Sequence, residues 1–160
     1  MKKKILISIV TYHASFRILT VLNKIKKINK RKDDFKILIS DDCSTDDTIA
    51  YINKIKFPKK IKVILNKKNL GYGANLKSCL SYALKKKFDY AIMIHGDDQY
   101  DAKYIPSMVK KLKEPNVHAV TGSRMQNKSG AIKGGMPIYK FIGNIALTKI
   151  FNILYKTNFT

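Results

Sequence analysis

Five short apolar runs, at residues 5–10, 35–40, 61–65, 90–94 and 117–121, alternate with segments of helical period. A run that is apolar on both sides has no face for solvent, so each such strand needs cover above and below. Strand–helix alternation at this spacing supplies that cover through right-handed crossovers. The expected fold is therefore α/β: a doubly wound, mostly parallel sheet with helices on both faces. The helices are expected at 15–29, 46–56, 74–87, 102–113 and 138–155, with a glycine-rich loop over 122–137. The first presents Ile18, Leu22, Ile25 and Ile28 on one side, and the third Leu76, Leu80, Ala83 and Leu84. Ser44 or Thr45 is expected to cap the second.

At 160 residues the chain fits a single domain over 1–160. No stretch approaches the roughly 20 apolar residues of a membrane span. The basic start and short apolar run at the N-terminus lack a small-residue cleavage site, so they read as a first strand and not a leader. Cys43 and Cys79 sit far apart with no histidine at ligand spacing, which fits reduced thiols in the cytoplasm. The net charge of +21 admits nucleic acid, an anionic membrane or an anionic substrate as partner. Only Arg17, Arg31 and Arg124 are arginine, whereas base reading and bidentate phosphate clamps favour that residue. Nucleic acid is accordingly not expected. The lysine runs, including the one over 24–32, read mostly as solvated faces with some attraction to acidic lipid at the inner face of the membrane.

The acids are more telling. Seven of the 11, Asp41, Asp42, Asp46, Asp47, Asp97, Asp98 and Asp101, fall in two clusters that follow apolar runs. In doubly wound sheets, ligands bind beyond the carboxyl ends of the strands. Asp41-Asp42 can accept hydrogen bonds from a nucleoside's base and ribose, while Asp46 and Thr45 read as turn and cap residues. His95-Gly96-Asp97-Asp98-Gln99 puts carboxylates where a diphosphate would be repelled without a cation. Hard oxygen donors completed by water and phosphate suit Mg²⁺ or Mn²⁺.

Asn69-Leu70-Gly71-Tyr72-Gly73 is not a dinucleotide fingerprint, because it follows the third apolar run and lacks the third glycine. It reads equally as a substrate-holding turn or a plain loop. Arg124, after the fifth run, suits a diphosphate or acceptor phosphate as well as a surface ion pair. The last helix carries a polar stripe of Lys140, Asn144, Thr148 and Asn152 on an otherwise apolar surface, which points to core or partner packing.

In this order, Ser8-Ile9-Val10-Thr11-Tyr12, Asp41-Asp42-Cys43-Ser44-Thr45-Asp46, Asn69-Leu70-Gly71-Tyr72-Gly73, Gly96-Asp97-Asp98-Gln99-Tyr100-Asp101 with Ile105-Pro106, Gly122-Ser123-Arg124, and Gly134-Gly135-Met136-Pro137 with Tyr139, Lys140 and Asn144 resemble family 2 glycosyltransferases of the GT-A, Rossmann-like fold. The branch that transfers mannose or glucose to dolichyl or other polyprenyl phosphates is the most similar. The resemblance implies a nucleotide site made by Thr11, Tyr12, Asp41, Asp42, Asn69, Gly71 and Gly73. It implies Asp97 as the second acid of the metal motif, Gln99 as its support and Asp98 as a further ligand. Arg124 and Lys140 would meet donor or acceptor phosphate. Three features depart from the pattern. Tyr12-His13-Ala14 lacks the acid usual at the third position, His95 replaces the first acid of D-x-D, and the family continues past Thr160 into acceptor-binding segments.

The expected function is metal-dependent, inverting transfer of a sugar from a UDP- or GDP-sugar to a polyprenyl phosphate, with Asp97 and Arg124 at the reacting centre. A cell-surface polysaccharide is the other acceptor considered. A chain truncated on its acceptor side that binds the donor without turnover is the other reading. A receiver-type phosphoacceptor domain would need an acid pair after the first strand, where Thr11-Tyr12-His13 stands.

Overall fold

A computed structural model describes residues 3–28, 34–55, 61–123, 125 and 128–159. Its elements run β1 (Lys4–Thr11), α1 (Arg17–Ile28), β2 (Asp34–Asp41), α2 (Thr48–Lys54), β3 (Ile61–Leu65), α3 (Tyr72–Lys85), β4 (Tyr90–His95), a 3-10 turn (Ala102–Tyr104), α4 (Ile105–Leu112), α5 (Lys128–Lys133) and α6 (Ile138–Tyr155). The expected helix ends at 29 and 56 lie outside the described residues. The chain divides into two compact units, Met1–His118 and Ala119–Thr160.

In the first unit the four strands are all parallel, in the order β3-β2-β1-β4. The chain steps outward from β1 to β3, then returns to the far side of β1. Right-handed crossovers therefore place α1 and α2 on one face and α3 on the other. The larger core shows this. Ile5, Ile7, Ile9, Ile37, Ile39, Ile92 and Ile94 of the strands meet Ile18, Val21, Leu22 and Ile25 of α1, Ile52 of α2, and Ile105 and Val109 of α4.

The opposite face is thinner, with Leu6, Val10 and Leu38 against Cys79 and Ala83 of α3. Here the expected inward stripe is corrected. α3 buries Asn75, Cys79 and Ala83, while Leu80 and Leu84 point outward. Small side chains let the helix approach Ser8 and Ser40, which are themselves buried. Burial pushes the Cys79 thiol up, the hydroxyls of Ser40 and Ser8 partly opposing it. Both cysteines are free thiols.

Two other expectations are corrected. Residues 117–121 form no strand: they are exposed or half-buried, and without burial or a paired neighbour a short strand has nothing to hold it. The glycine-rich segment contains α5. In the second unit α6 spans the expected residues yet buries none of them; Ile142, Leu147, Ile153 and Leu154 are all exposed. Among the described residues no helix is long and apolar enough to cross a membrane.

Gly96 closes β4 under tight constraint. A Cβ there would lie 2.5 Å from Thr11 Oγ1 and 2.7 Å from Thr11 Cβ. Thr11 Cβ is fixed to a central strand and cannot swing aside. Gly96→Ala is expected to cost about 1–3 kcal/mol, the usual range for overpacking. Denaturant melts check this; a midpoint equal to the parent's would mean that β4 can shift freely at its exit.

Candidate functional site

The strand register sets the site. Thr11 pairs with Asp41, and Val10 with His95, so β1, β2 and β4 end at one level. Beyond that level the backbone is still tied: Asp42 N–H donates to Thr11 O and Gly96 N–H to Val10 O, both at 2.9 Å. Asp42 and Asp97 thus leave the same rim on the two strands that flank β1, about 9–10 Å apart in strand spacing. The strand order reverses between β1 and β4, and this is where open α/β sheets bind ligands.

The two members of the first acid pair have different duties. Asp41 is buried and accepts hydrogen bonds from Ser44, N–H to Oδ1 at 2.8 Å and Oγ to Oδ2 at 2.6 Å. Both oxygens serve the turn. Asp42 is also buried, and its Oδ1 accepts from Asn66 Nδ2 at 2.8 Å and from Leu70 N–H at 2.9 Å. The Asn66–Gly71 loop therefore hangs from Asp42. Asn69 Oδ1 accepts from Gly71 N–H at 2.8 Å, and Gly71 has φ +80°, a conformation that side chains resist. Gly73 lies in the first turn of α3 with open space around it.

At the end of β1, Tyr12 is exposed and stacks on His13 with ring centroids 3.9 Å apart. His13 is held from the neighbouring loop: its N–H donates to Ser44 Oγ at 2.9 Å, and its Nε2 lies 3.0 Å from Thr45 Oγ1. Ser44 and Thr45, expected to cap α2, instead join the β1 and β2 exits. The start of α2 is fixed by Asp46, whose Oδ1 accepts from the N–H and Oγ1 of Thr48. Burial pushes the Asp46 carboxyl up, but the Thr48 hydrogen bonds prevail and hold it below its ordinary value. Thr11 itself is buried against Gly96, and its Oγ1 has no hydrogen-bond partner among the described residues.

At the end of β4, His95 sits between two tyrosines, 5.2 Å from the Tyr72 ring and 4.7 Å from the Tyr100 ring. Asp97 Oδ1 accepts from Gln99 N–H at 3.1 Å. Asp98 does not share Asp97's direction. It adopts φ +63°, and both its oxygens face Lys24 Nζ of α1, at 3.0 and 2.8 Å. The hydrogen bond to Asp98 raises the Lys24 ammonium above its ordinary value, burial opposing it. Asp101 is 3.6 Å from Lys24 and 3.1 Å from Lys103. Sequence reasoning missed Lys24 because it opens a run that otherwise looks solvated. Arg124 lies outside the described residues. Lys140 is exposed on α6 of the second unit, 6.0 Å from the Tyr139 ring centre.

Among the described residues no three metal-ligating side chains converge. A cation held by protein alone does not fit this rim. One held by Asp97 and a bound diphosphate does, since Mg²⁺-type ions commonly take one or two carboxylates and complete their shell with phosphate and water.

The first unit's architecture recurs in solved structures. A mannosyltransferase of Pyrobaculum calidifontis, in complex with GDP-Man and Mn²⁺, superposes with TM-score 0.68 at 19% identity, over 82% of this chain and 39% of that one. TarS 1-349 of S. aureus superposes with TM-score 0.53 at 23% identity, over 79% of this chain and 40% of that one. The same fragment in complex with UDP gives 0.51 at 22% identity, with the same two shares of 79% and 40%. An uncharacterised protein of Methanocaldococcus jannaschii is 30% identical over 145 residues, 87% of this chain and 59% of that protein. The chain thus spans 59% of that relative's length and about 40% of the solved structures it matches. Residues 6–157 match the glycosyl transferase family 2 profile, and with the strand-end acids on one rim of a parallel sheet, the chain belongs to that family.

Proposed function

We propose that this chain binds the nucleotide-sugar donor for a metal-assisted, inverting glycosyl transfer to a polyprenyl phosphate. The observation that carries the reading is the emergence of Asp42 and Asp97 at one rim, on either side of the β1–β4 reversal. Asp42, kept in place by Asn66 and Leu70, accepts from the nucleoside, with Asp41 bracing its turn. Tyr12 offers a ring face to the base, and Asn69, Gly71 and Gly73 shape the loop beside it. Asp97, with Gln99 in its turn, meets the diphosphate through Mg²⁺ or Mn²⁺. When bound, the cation neutralises charge on the departing nucleoside diphosphate.

For Arg124 and Lys140 the support is their place in the sequence motifs. An acceptor phosphate oxygen is already ionised and attacks without a protein base. The lysine-rich surface of the chain supports attraction to acidic lipid at the inner membrane face. A chain that binds donor without turnover is the second reading; the chain spans 39–40% of the length of the solved structures it matches. Sugar release measured with and without Mn²⁺ separates the two.

The deciding experiment titrates UDP and GDP by calorimetry, each in Mn²⁺ and in EDTA. One nucleotide is expected to bind preferentially, at least tenfold tighter with the cation (about 1.4 kcal/mol). Indifference of both nucleotides to Mn²⁺ would remove Asp97 from the donor site. Absence of binding by either would remove the reading.

A further inference from the structure

The loop between β4 and the 3-10 turn is pinned at three places. Gly96 is wedged against Thr11, Ala102 is fully buried in the larger core, and between them Asp98 is tied to α1. The tie starts from a rigid base. Val21, Leu22 and Ile25 of α1 are buried, and Lys24 reaches across from the same turn. One ammonium meets both oxygens of Asp98 and the nearer oxygen of Asp101.

An ordinary surface ion pair contributes little to stability, and the effect of this one lies in direction and not in fold strength. Two features set it apart. Asp98 holds a left-handed backbone, a conformation that Asp adopts more readily than most residues with a Cβ. That backbone turns Asp98 towards α1 while its neighbour Asp97 stays in the turn closed by Gln99. The charges are also divided. Lys24 and Lys103 engage Asp98 and Asp101, and among the described residues Asp97 forms no ion pair.

We propose that Lys24 is a positioning residue: it draws Asp98 and Asp101 onto α1, so that Asp97 is presented alone to a cation-bearing diphosphate. This rests on the reading that Asp97 meets the diphosphate through a cation, and it adds a residue that touches neither. Asp98, on this view, is a hinge pin and not a metal ligand.

The test uses the full chain with Mn²⁺ and whichever of UDP or GDP binds, read by calorimetry and by the electron paramagnetic resonance of bound Mn²⁺. Lys24→Met keeps the apolar stem and removes the ammonium. It is expected to weaken the Mn²⁺-dependent affinity about 10-fold, the lower end for loss of an outer-shell partner, with affinity in EDTA unchanged. Lys24→Arg should restore most of it. Asp98→Asn weakens the same tie from the other side, leaving one neutral acceptor in place of two charged ones, and should reproduce much of the loss. The double variant should lose no more than Lys24→Met alone. A general loss of structure would lower both affinities together and would not be rescued by arginine.

Wild-type Mn²⁺ dependence in both Lys24→Met and Asp98→Asn overturns the proposal, and Asp98→Asn decides alone if Lys24→Met does not fold. The underlying reading fails separately. If Asp97→Ala leaves the Mn²⁺ increment intact, Asp97 is misassigned. If Asp97→Ala abolishes it while the clamp variants keep it, only the role of Lys24 falls.

Discussion

Asp97→Ala is expected to abolish the gain in nucleotide affinity that Mn²⁺ provides, and to make binding in EDTA tighter than in the parent chain. The two halves share one cause. A carboxylate beside a diphosphate attracts it only through a cation; without the cation, like charges face each other at close range. At about 5 Å and an effective dielectric between those of surface and water, that repulsion is on the order of 1–3 kcal/mol. The increment lost in Mn²⁺ is expected at 10- to 100-fold, about 1.4–2.8 kcal/mol. The fold should be indifferent, because Asp97 is only half-buried and its one described hydrogen bond closes a local turn. Calorimetry on UDP and GDP with Mn²⁺ or EDTA measures both effects. Parallel loss in the two conditions would mean that Asp97 supports the loop and not a cation.

The alternation of apolar runs made the parallel sheet legible, because a strand buried on both faces leaves its signature in consecutive residues. Ile61–Leu65 and Ile138–Tyr155 match their expected ends without adjustment. Residues 117–121 carry the same local signature and form no strand, since pairing depends on a neighbour that the run itself does not encode. On α3, Ala83 is buried as expected, but apolar size also pointed to Leu80 and Leu84, where close approach to the sheet selected Asn75 and Cys79.

At the rim, the positions of the acids were legible and their division of labour was not. Adjacent aspartates look alike in sequence. Backbone geometry makes Asp41 a staple for Ser44, Asp42 a hook for the Asn66–Gly71 loop, and Asp98 the partner of a lysine 74 residues away. His13 entered the sequence reading only as a departure from a pattern. In the fold it is the contact that locks the β1 exit to the β2 turn, through Ser44 and Thr45. Contacts between strand ends of such separation appear only once the register is fixed.

Asp42 offers the other large effect, and it separates structure from recognition. Asp42→Ala leaves two donors, Asn66 Nδ2 and Leu70 N–H, without their acceptor. Leu70 is exposed, so water can reach its amide, and the combined cost is expected near the low end for unsatisfied groups, about 2 kcal/mol. For a chain of this size that lowers the melting midpoint by about 4–8 °C. Asp42→Asn retains an Oδ1 that can accept from both donors, so its midpoint should stay within about 2 °C of the parent. Its nucleotide affinity should still fall about 10-fold or more, because a neutral amide is a weaker acceptor for ribose hydroxyls than a carboxylate. Unlike the change at Asp97, this loss should be equal in Mn²⁺ and EDTA and equal for free nucleotide and nucleotide sugar. A folded Asp42→Asn chain that binds UDP and GDP as the parent does, and loses only turnover, would place the nucleoside elsewhere on the rim.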